Sequence, residues 1–370
     1  MKNIFKIGLI GLTCLSISSC KETRQILGYD NTEEKFNTNL FYKNSGEVQA
    51  ADPHVIYAED KFYMYATNAN SNGDCSYLQV WSSENLTNWT NEGICYQPEL
   101  TNWAIDGLWA PEVIAHEGKY YLYYSGWDIK RGGHQIGVAV SDNPFGPFVK
   151  QEDPVMMTQY SWDYVSGTGH CSLFKSPDGK EVFMAYHSHL DTLLGGAERI
   201  INFDRVNFVD GKVIVNGPSI SPQILPSGVG EYRDLKDEMQ VLVNGVPIYQ
   251  LYDGIINVFE DELDNEVNLM MNKVKITIVF NEVKTIRGIM IYDSANCDYS
   301  LKSIDSIVIN NKKIKNLKIN DKYFSDDDYL YKIPVSSFIY EFDEITTNKI
   351  EINISSDDVI YLNEIKVIGK

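Results

Sequence analysis

The sequence predicts an all-β protein in two parts, a β-propeller followed by a β-sandwich. Three observations carry that expectation. Helical periodicity is scarce, and short runs rich in Tyr, Val, Ile and Phe alternate with Gly, Asn, Asp and Pro turns. Two sub-motifs recur in the same order along the first half of the chain. After Pro226 the aromatics thin out and Ile, Val, Asn and Lys take over.

The chain opens with a leader rather than with the fold. Lys2 and Lys6 form a short positive region, and an apolar stretch from Ile7 to Ile17 follows. That stretch is too short to span a bilayer core of roughly 30 Å as a helix. Ser18 and Ser19 then precede Cys20, an arrangement like a lipobox in which Cys20 becomes the lipidated first residue. Residues 1–20 are therefore expected to be a lipoprotein signal peptide, and residues 21–38 a polar tether. An ordinary signal peptide cleaved near Ser19 is the alternative. The anchor would place the protein at the outer membrane, facing the cell surface or the periplasm. The lipid would be its sole contact with the membrane.

The repeats come next, over residues 39–232. Lys61-Phe-Tyr-Met-Tyr-Ala-Thr67 matches Lys119-Tyr-Tyr-Leu-Tyr-Tyr-Ser125, and Lys180-Glu-Val-Phe-Met-Ala-Tyr-His187 is a looser third copy. Each follows an apolar strand and an acidic or glycine turn, at Glu59-Asp60, Glu117-Gly118 and Asp178-Gly179. The following strand repeats too: Val80-Trp-Ser-Ser-Glu-Asn85 lines up with Val138-Ala-Val-Ser-Asp-Asn143. Four antiparallel strands recurring in this way are what propeller blades require. A β-sandwich with coincidentally similar hairpins is the alternative, and the pairing of two separate sub-motifs in the same order favours the propeller over it.

Ser227-Gly-Val-Gly-Glu-Tyr-Arg233 reads as the exit from this domain. Over residues 240–370, Lys275 to Phe280, Ile286 to Tyr292 and Ile350 to Ile354 alternate as half-buried strands do. The local phrases there, Tyr252-Asp253-Gly254, Ile289 to Tyr292 and Asn363 to Ile365, resemble a discoidin-type, galactose-binding-like sandwich.

Charge narrows the partners. Acids outnumber bases 51 to 32, for a net charge of -19. Phosphate binding needs a basic footprint, so nucleic acid is excluded. A neutral oligo- or polysaccharide suits this charge, as does a cationic ligand. Cys14 and Cys20 belong to the leader. Cys75 and Cys95 flank one strand pattern, and in an oxidising compartment they form either a disulfide or two buried thiols. Cys171 and Cys297 fall in different parts and read as free.

The heads of the repeats hold the candidate chemistry, because the innermost strand of each blade points at the central axis. The first opens Ala51-Asp52-Pro53-His54-Val55, the second Leu108-Trp-Ala-Pro-Glu-Val113, and the third Gly167-Thr-Gly-His-Cys-Ser-Leu173. Together these phrases, across about residues 40 to 226, resemble glycoside hydrolase family 43. The resemblance implies a five-bladed type of propeller, here truncated to three clear repeats. It also implies an inverting glycoside hydrolase that cleaves O-glycosyl bonds of arabinosides or xylosides. Such cleavage uses two carboxylates, one as acid and one as base.

Asp52 takes the general-base position in that comparison. The family's third-blade Asp and fourth-blade Glu, the general acid, have no counterpart here, and the segment between Phe148 and Gly167 is too short for two blades. If Trp109-Ala-Pro is aligned with the acid's phrase, Trp109 stands in the acid's place, and Trp cannot donate the proton. Glu112, Asp106 and Asp163 are the substitutes, although strand alternation turns Glu112 to the other face. Trp109, Trp127 and Trp162 are candidate sugar-stacking platforms, and each is also a plain packing residue. His170 lines the pocket or packs in the core. No cluster of metal ligands stands out and no cofactor is expected, with a central structural ion left open. The missing acid keeps a second reading open: a catalytically impaired surface glycan-binding lipoprotein derived from such an enzyme.

Overall fold

The computed structural model describes residues 37–42, 44, 48, 50–68, 75–99, 103–104, 107–128, 133–151, 154–155, 165–190, 198–315, 322–326 and 329–370. Cys20, Asp106, Trp162 and Asp163 lie outside these described residues. The fold is all-β, as the sequence predicts.

Three four-stranded antiparallel sheets follow one another along the chain. The first holds β1 (Ala50–Ala58), β2 (Lys61–Asn68), β3 (Leu78–Ser83) and β4 (Thr90–Tyr96). The second holds β5 (Trp109–His116), β6 (Lys119–Trp127), β7 (His134–Ser141) and β8 (Val149–Lys150). The third holds β9 (Val165–Lys175), β10 (Val182–Leu190), β11 (Glu198–Val209) and β12 (Lys212–Val215). Every strand pairs with its sequence neighbour, as in a propeller blade. The inner hairpins of the first two blades turn on Glu59-Asp60 and Glu117-Gly118, whose φ values of 49°, 61°, 46° and 77° are those of tight hairpin turns.

The blades stack face on face. Tyr63, Tyr65, Leu78 and Val80 of the first pack against Val113, Leu122 and Tyr124 of the second. The other face of the second blade, with Tyr121, Tyr123, Ile136 and Val138, packs against Cys171, Met184, Tyr186 and Val206 of the third. Cys75 and Cys95 are not joined by a disulfide. The Cys95 thiol donates to the Leu78 carbonyl at 3.4 Å.

The C-terminal sheet already includes Arg233–Asp234, which pairs with Tyr361–Gly369. Its centre is the 21-residue strand Lys273–Asp293, flanked by Met239–Val243, Phe338–Ser355 and Tyr361–Gly369. The register slips between Val279 and Lys284, where the strand changes direction. One core takes Ile276 and Ile278 from the first half and Ile289 and Ile291 from the second, so the bent sheet is sandwich-like. Val165 and Ile224 on the propeller side join Ile256, Tyr292 and Val335 in a separate core between the two parts.

Candidate active site

Each inner strand carries the same irregularity, near the start of β1 and β5 and midway along β9. Asp52, Ala110 and His170 have φ values of 49°, 50° and 47°, in the left-handed region that non-glycine residues rarely enter. Each sits at a register slip: between Ala51 and His54, between Trp109 and Glu112, and between the partners of Ala185 and His187. A bulge of this kind re-aims the side chain at the strand head. It places Asp52, Ala110 and His170 at equivalent positions in three successive blades.

Hydroxyl groups tie these heads together. Thr67, at the end of β2, donates its Oγ1 proton to Asp52 Oδ2 at 2.7 Å. The same oxygen accepts the Ala110 N–H of the next blade at 2.9 Å. Ser125, at the matching place on β6, accepts the His170 N–H at 2.7 Å. Thr67 pairs with Ala51, Ser125 with Trp109 and His187 with Gly169, so His187 is the third blade's counterpart of Thr67 and Ser125.

One layer further along, side chains run between blades. His54 Nε2 lies 2.9 Å from the Val113 carbonyl and Nδ1 lies 2.7 Å from Glu112 Oε2. The carbonyl can only accept, so Nε2 carries a proton, and one further proton lies between Nδ1 and Glu112. Glu112 Oε1 accepts the Leu173 N–H of the third blade at 3.2 Å. Both oxygens of Glu112 are thus engaged at blade junctions, whereas Asp52 presents an exposed carboxylate at the strand head.

The mouth near Asp52 is aromatic and basic. Trp109 donates its ring N–H to Cys75 Sγ at 3.1 Å and rests against His134, with 5.0 Å between ring centroids. Trp127, half exposed, meets the same imidazole edge-on at 5.1 Å. Arg199 Nε donates to His189 Nε2 at 3.2 Å, which fixes the proton of a neutral His189 on Nδ1. Burial, then His189 and Arg199, lowers the His134 pKa. Burial, then Arg199 and the imidazoles of His189, His170 and His134, lowers that of His187 to about 4. The His134 and His187 rings are therefore neutral hydrogen-bonding groups at neutral pH.

The glycines ahead of His170 make room for the rings. A Cβ on Gly167 would meet His189 Nδ1 at 2.6 Å, and one on Gly169 would meet the His187 ring at 3.3 Å. Among the described residues, no group of three or more His, Cys, Asp or Glu side chains is placed to hold a metal ion.

Thr67 links Asp52 to the strand head that carries Trp109, His134 lies against both Trp109 and Trp127, the His170 N–H is held by Ser125, and Glu112 is turned into the blade junctions. Thr67, Ser125, His134, His187, His189 and Arg199 are the additional polar groups here. The repeat carried a signal for Thr67, Ser125 and His187, which close its three copies. Nothing local marks His134, His189 or Arg199.

Residues 46–152 match the family model for glycosyl hydrolases family 43. A xylosidase/arabinosidase of Humicola insolens is 35% identical over 121 residues, which are 29% of this chain and 37% of that protein. A xylosidase/arabinosidase of Bacteroides ovatus is 34% identical over 125 residues, 30% of this chain and 38% of that protein. The chain thus spans less than two fifths of the length of either relative. A solved β-xylosidase/α-arabinofuranosidase from a compost metagenome, in complex with xylotriose, is 29% identical, with a TM-score of 0.32 over 38% of this chain and 42% of that one. Among the described residues, no helix is long and apolar enough to cross a membrane. The segment holding the first two blades, residues 46–152, is thus similar to glycosyl hydrolases family 43.

Proposed function

We propose that the protein is a glycoside hydrolase acting on arabinose- or xylose-containing glycans, with inversion at the anomeric carbon. The observation that carries the reading is Asp52: an exposed carboxylate at the first strand head, oriented by Thr67 and next in the ring to the Trp109 strand head. In this mechanism Asp52 takes a proton from water. The water oxygen bonds to the anomeric carbon, and the glycosidic C–O bond breaks as the leaving oxygen receives a proton from an acid. Asp163, just before the histidine strand in sequence, and Asp106, in the approach to the second repeat, are the candidate acids. Trp109 and Trp127 offer apolar faces for sugar rings, and His170 offers a polar edge.

A second reading follows from Glu112. Its oxygens are held by His54 and Leu173, so no described carboxylate beside Asp52 is committed to the acid's role. A glycan-binding lipoprotein derived from the enzyme fits that arrangement. We extend the same proposal to the rest of the chain: a lipid anchor at Cys20 in the outer membrane, a propeller domain over 39–232 and a discoidin-type domain over 240–370.

The test is hydrolysis of aryl arabinofuranosides and xylosides by wild type and Asp52→Asn, with glycan binding measured in parallel. Turnover in wild type that falls roughly 10²–10⁴-fold in the variant supports hydrolysis. Binding by both with turnover by neither supports the second reading. Full turnover in Asp52→Asn would overturn the role of Asp52.

A further inference from the structure

The second blade shows what each face of a blade needs. Its backward face buries Val113, Leu122 and Tyr124 against the first blade, and its forward face buries Tyr121, Tyr123, Ile136 and Val138 against the third. The repeat register carries these positions to the two ends of the array. On the first blade, the backward positions hold Val55, Met64 and Ala66, with Tyr57 beside them. On the third, the forward positions hold Phe183, Ala185, Ile201 and Phe203, and Phe174 stands where the second blade has Ile114.

Both end faces are apolar, as the inner ones are; Ala66 and Phe183 are buried, and the rest stand at least partly open. Val55 and Tyr57 are 45% and 63% exposed, and Phe174, Ile201 and Phe203 are 41%, 65% and 55% exposed. The C-terminal domain leaves these side chains uncovered, although it packs beside them through Ile224. Free apolar faces of this kind mark an interaction site.

The polar links identify what fits. Two kinds occur at both existing junctions. A residue closing the second strand accepts the N–H of the next blade's bulge residue: Thr67 from Ala110, and Ser125 from His170. A residue two past the bulge reaches the next blade's backbone: His54 to the Val113 carbonyl, and Glu112 to the Leu173 N–H. The third members of both series, His187 and Ser172, face the open end. The complementary groups, the backbones of Asp52 and Val55, are at the opposite end of the same chain.

We propose that a second copy of this chain docks its first blade on the third blade of this one, head to tail. Two such contacts close a six-bladed ring with two-fold symmetry, within the four to eight blades that propellers use. Asp52 then stands three blades from the second copy's Asp52, on the opposite side of the axis. The central site is complete only in the pair. This inference rests on packing and backbone links, so its test reads mass and not turnover.

The mass of the full-length protein in detergent, by light scattering after chromatography, should be that of two chains. Val55→Asp and Phe203→Asp change exposed side chains, so each should fold as wild type does and run as a single chain. An equimolar mixture of the two variants has one unaltered junction and should pair more than either variant alone, though less than wild type. Several results would overturn the proposal: a wild-type single chain at all concentrations, pairs that survive both substitutions, or open-ended oligomers. Paired wild type with no hydrolysis would leave the ring standing and count only against the hydrolase.

Discussion

Thr67→Val is the sharpest probe of how the strand heads are held. The hydroxyl of Thr67 has two partners with different exposure, and that difference sets the magnitude. Asp52 is exposed, so water replaces the lost donor and little stability goes with it. The Ala110 N–H is buried, and Val offers it no acceptor. An unpaired buried donor costs roughly 1–3 kcal/mol. Thr67→Val should therefore destabilise the propeller by about 2 kcal/mol, nearly all of it from Ala110. With a urea slope of about 2 kcal/mol per molar, the midpoint falls by about 1 M. The assay separates the two parts of the molecule, since all six tryptophans lie at or before residue 162 and fluorescence follows the propeller alone. Thr67→Ser keeps the hydroxyl and should stay within about 1 kcal/mol of wild type. If Val and Ser variants unfold at the same urea concentration, the link between blades contributes nothing and the reasoning fails.

Other perturbations test other parts of the structure. Burial and its cationic neighbours lower the His187 pKa from 6.5 to about 4, so the folded state keeps it neutral where the unfolded chain binds a proton. Its contribution should be present above pH 6.5 and fade as pH falls towards 4, and His187→Gln should remove that part of the pH slope in propeller unfolding. Glu112→Gln should cost about 1–2 kcal/mol in the same unfolding measurement and leave any turnover intact; a folded variant without turnover would return Glu112 to the acid's role. In the C-terminal domain, burial would raise the Asp293 pKa, but the Lys332 and Lys322 ammoniums, each 2.7 Å away, hold it at about 2. Lys332→Met should cost about 3–5 kcal/mol, read by circular dichroism, because it leaves a buried carboxylate half compensated. Burial also pushes the Cys95 thiol up to about 12, so it should resist thiol reagents in the native protein and react once denatured.

The fold was legible because it rests on patterns that repeat within the chain. Lys61 to Thr67 and Lys119 to Ser125 mark equivalent strands by residue type alone, and their aromatics fill equivalent cores. The C-terminal sandwich was legible from alternation alone, since Lys275 to Phe280 buries every second side chain. The candidate site was legible only where it coincides with a repeat head. Asp52 and Trp109 stand beside the bulges that begin β1 and β5. His189 and Arg199 meet across the β10–β11 ladder, and His134 reaches Trp109 and Trp127 through the folded second blade. Such pairings depend on register, which composition does not reveal.

The same comparison explains why one repeat position carries three residue types. Thr67 and Ser125 are small hydroxyls because each must accept an N–H from a blade packed directly against it, in space closed on both sides. His187 stands at the third place, and no described blade follows it. A ring has room there, and Gly169 supplies part of that room on the strand behind. The imidazole keeps an acceptor nitrogen, because burial and cationic neighbours hold it neutral. It can therefore act as Thr67 and Ser125 do while reaching farther from its own strand. The departure of this position from the repeat and the open end of the array are then one feature: the chemistry of the junction is retained where no further blade follows among the described residues.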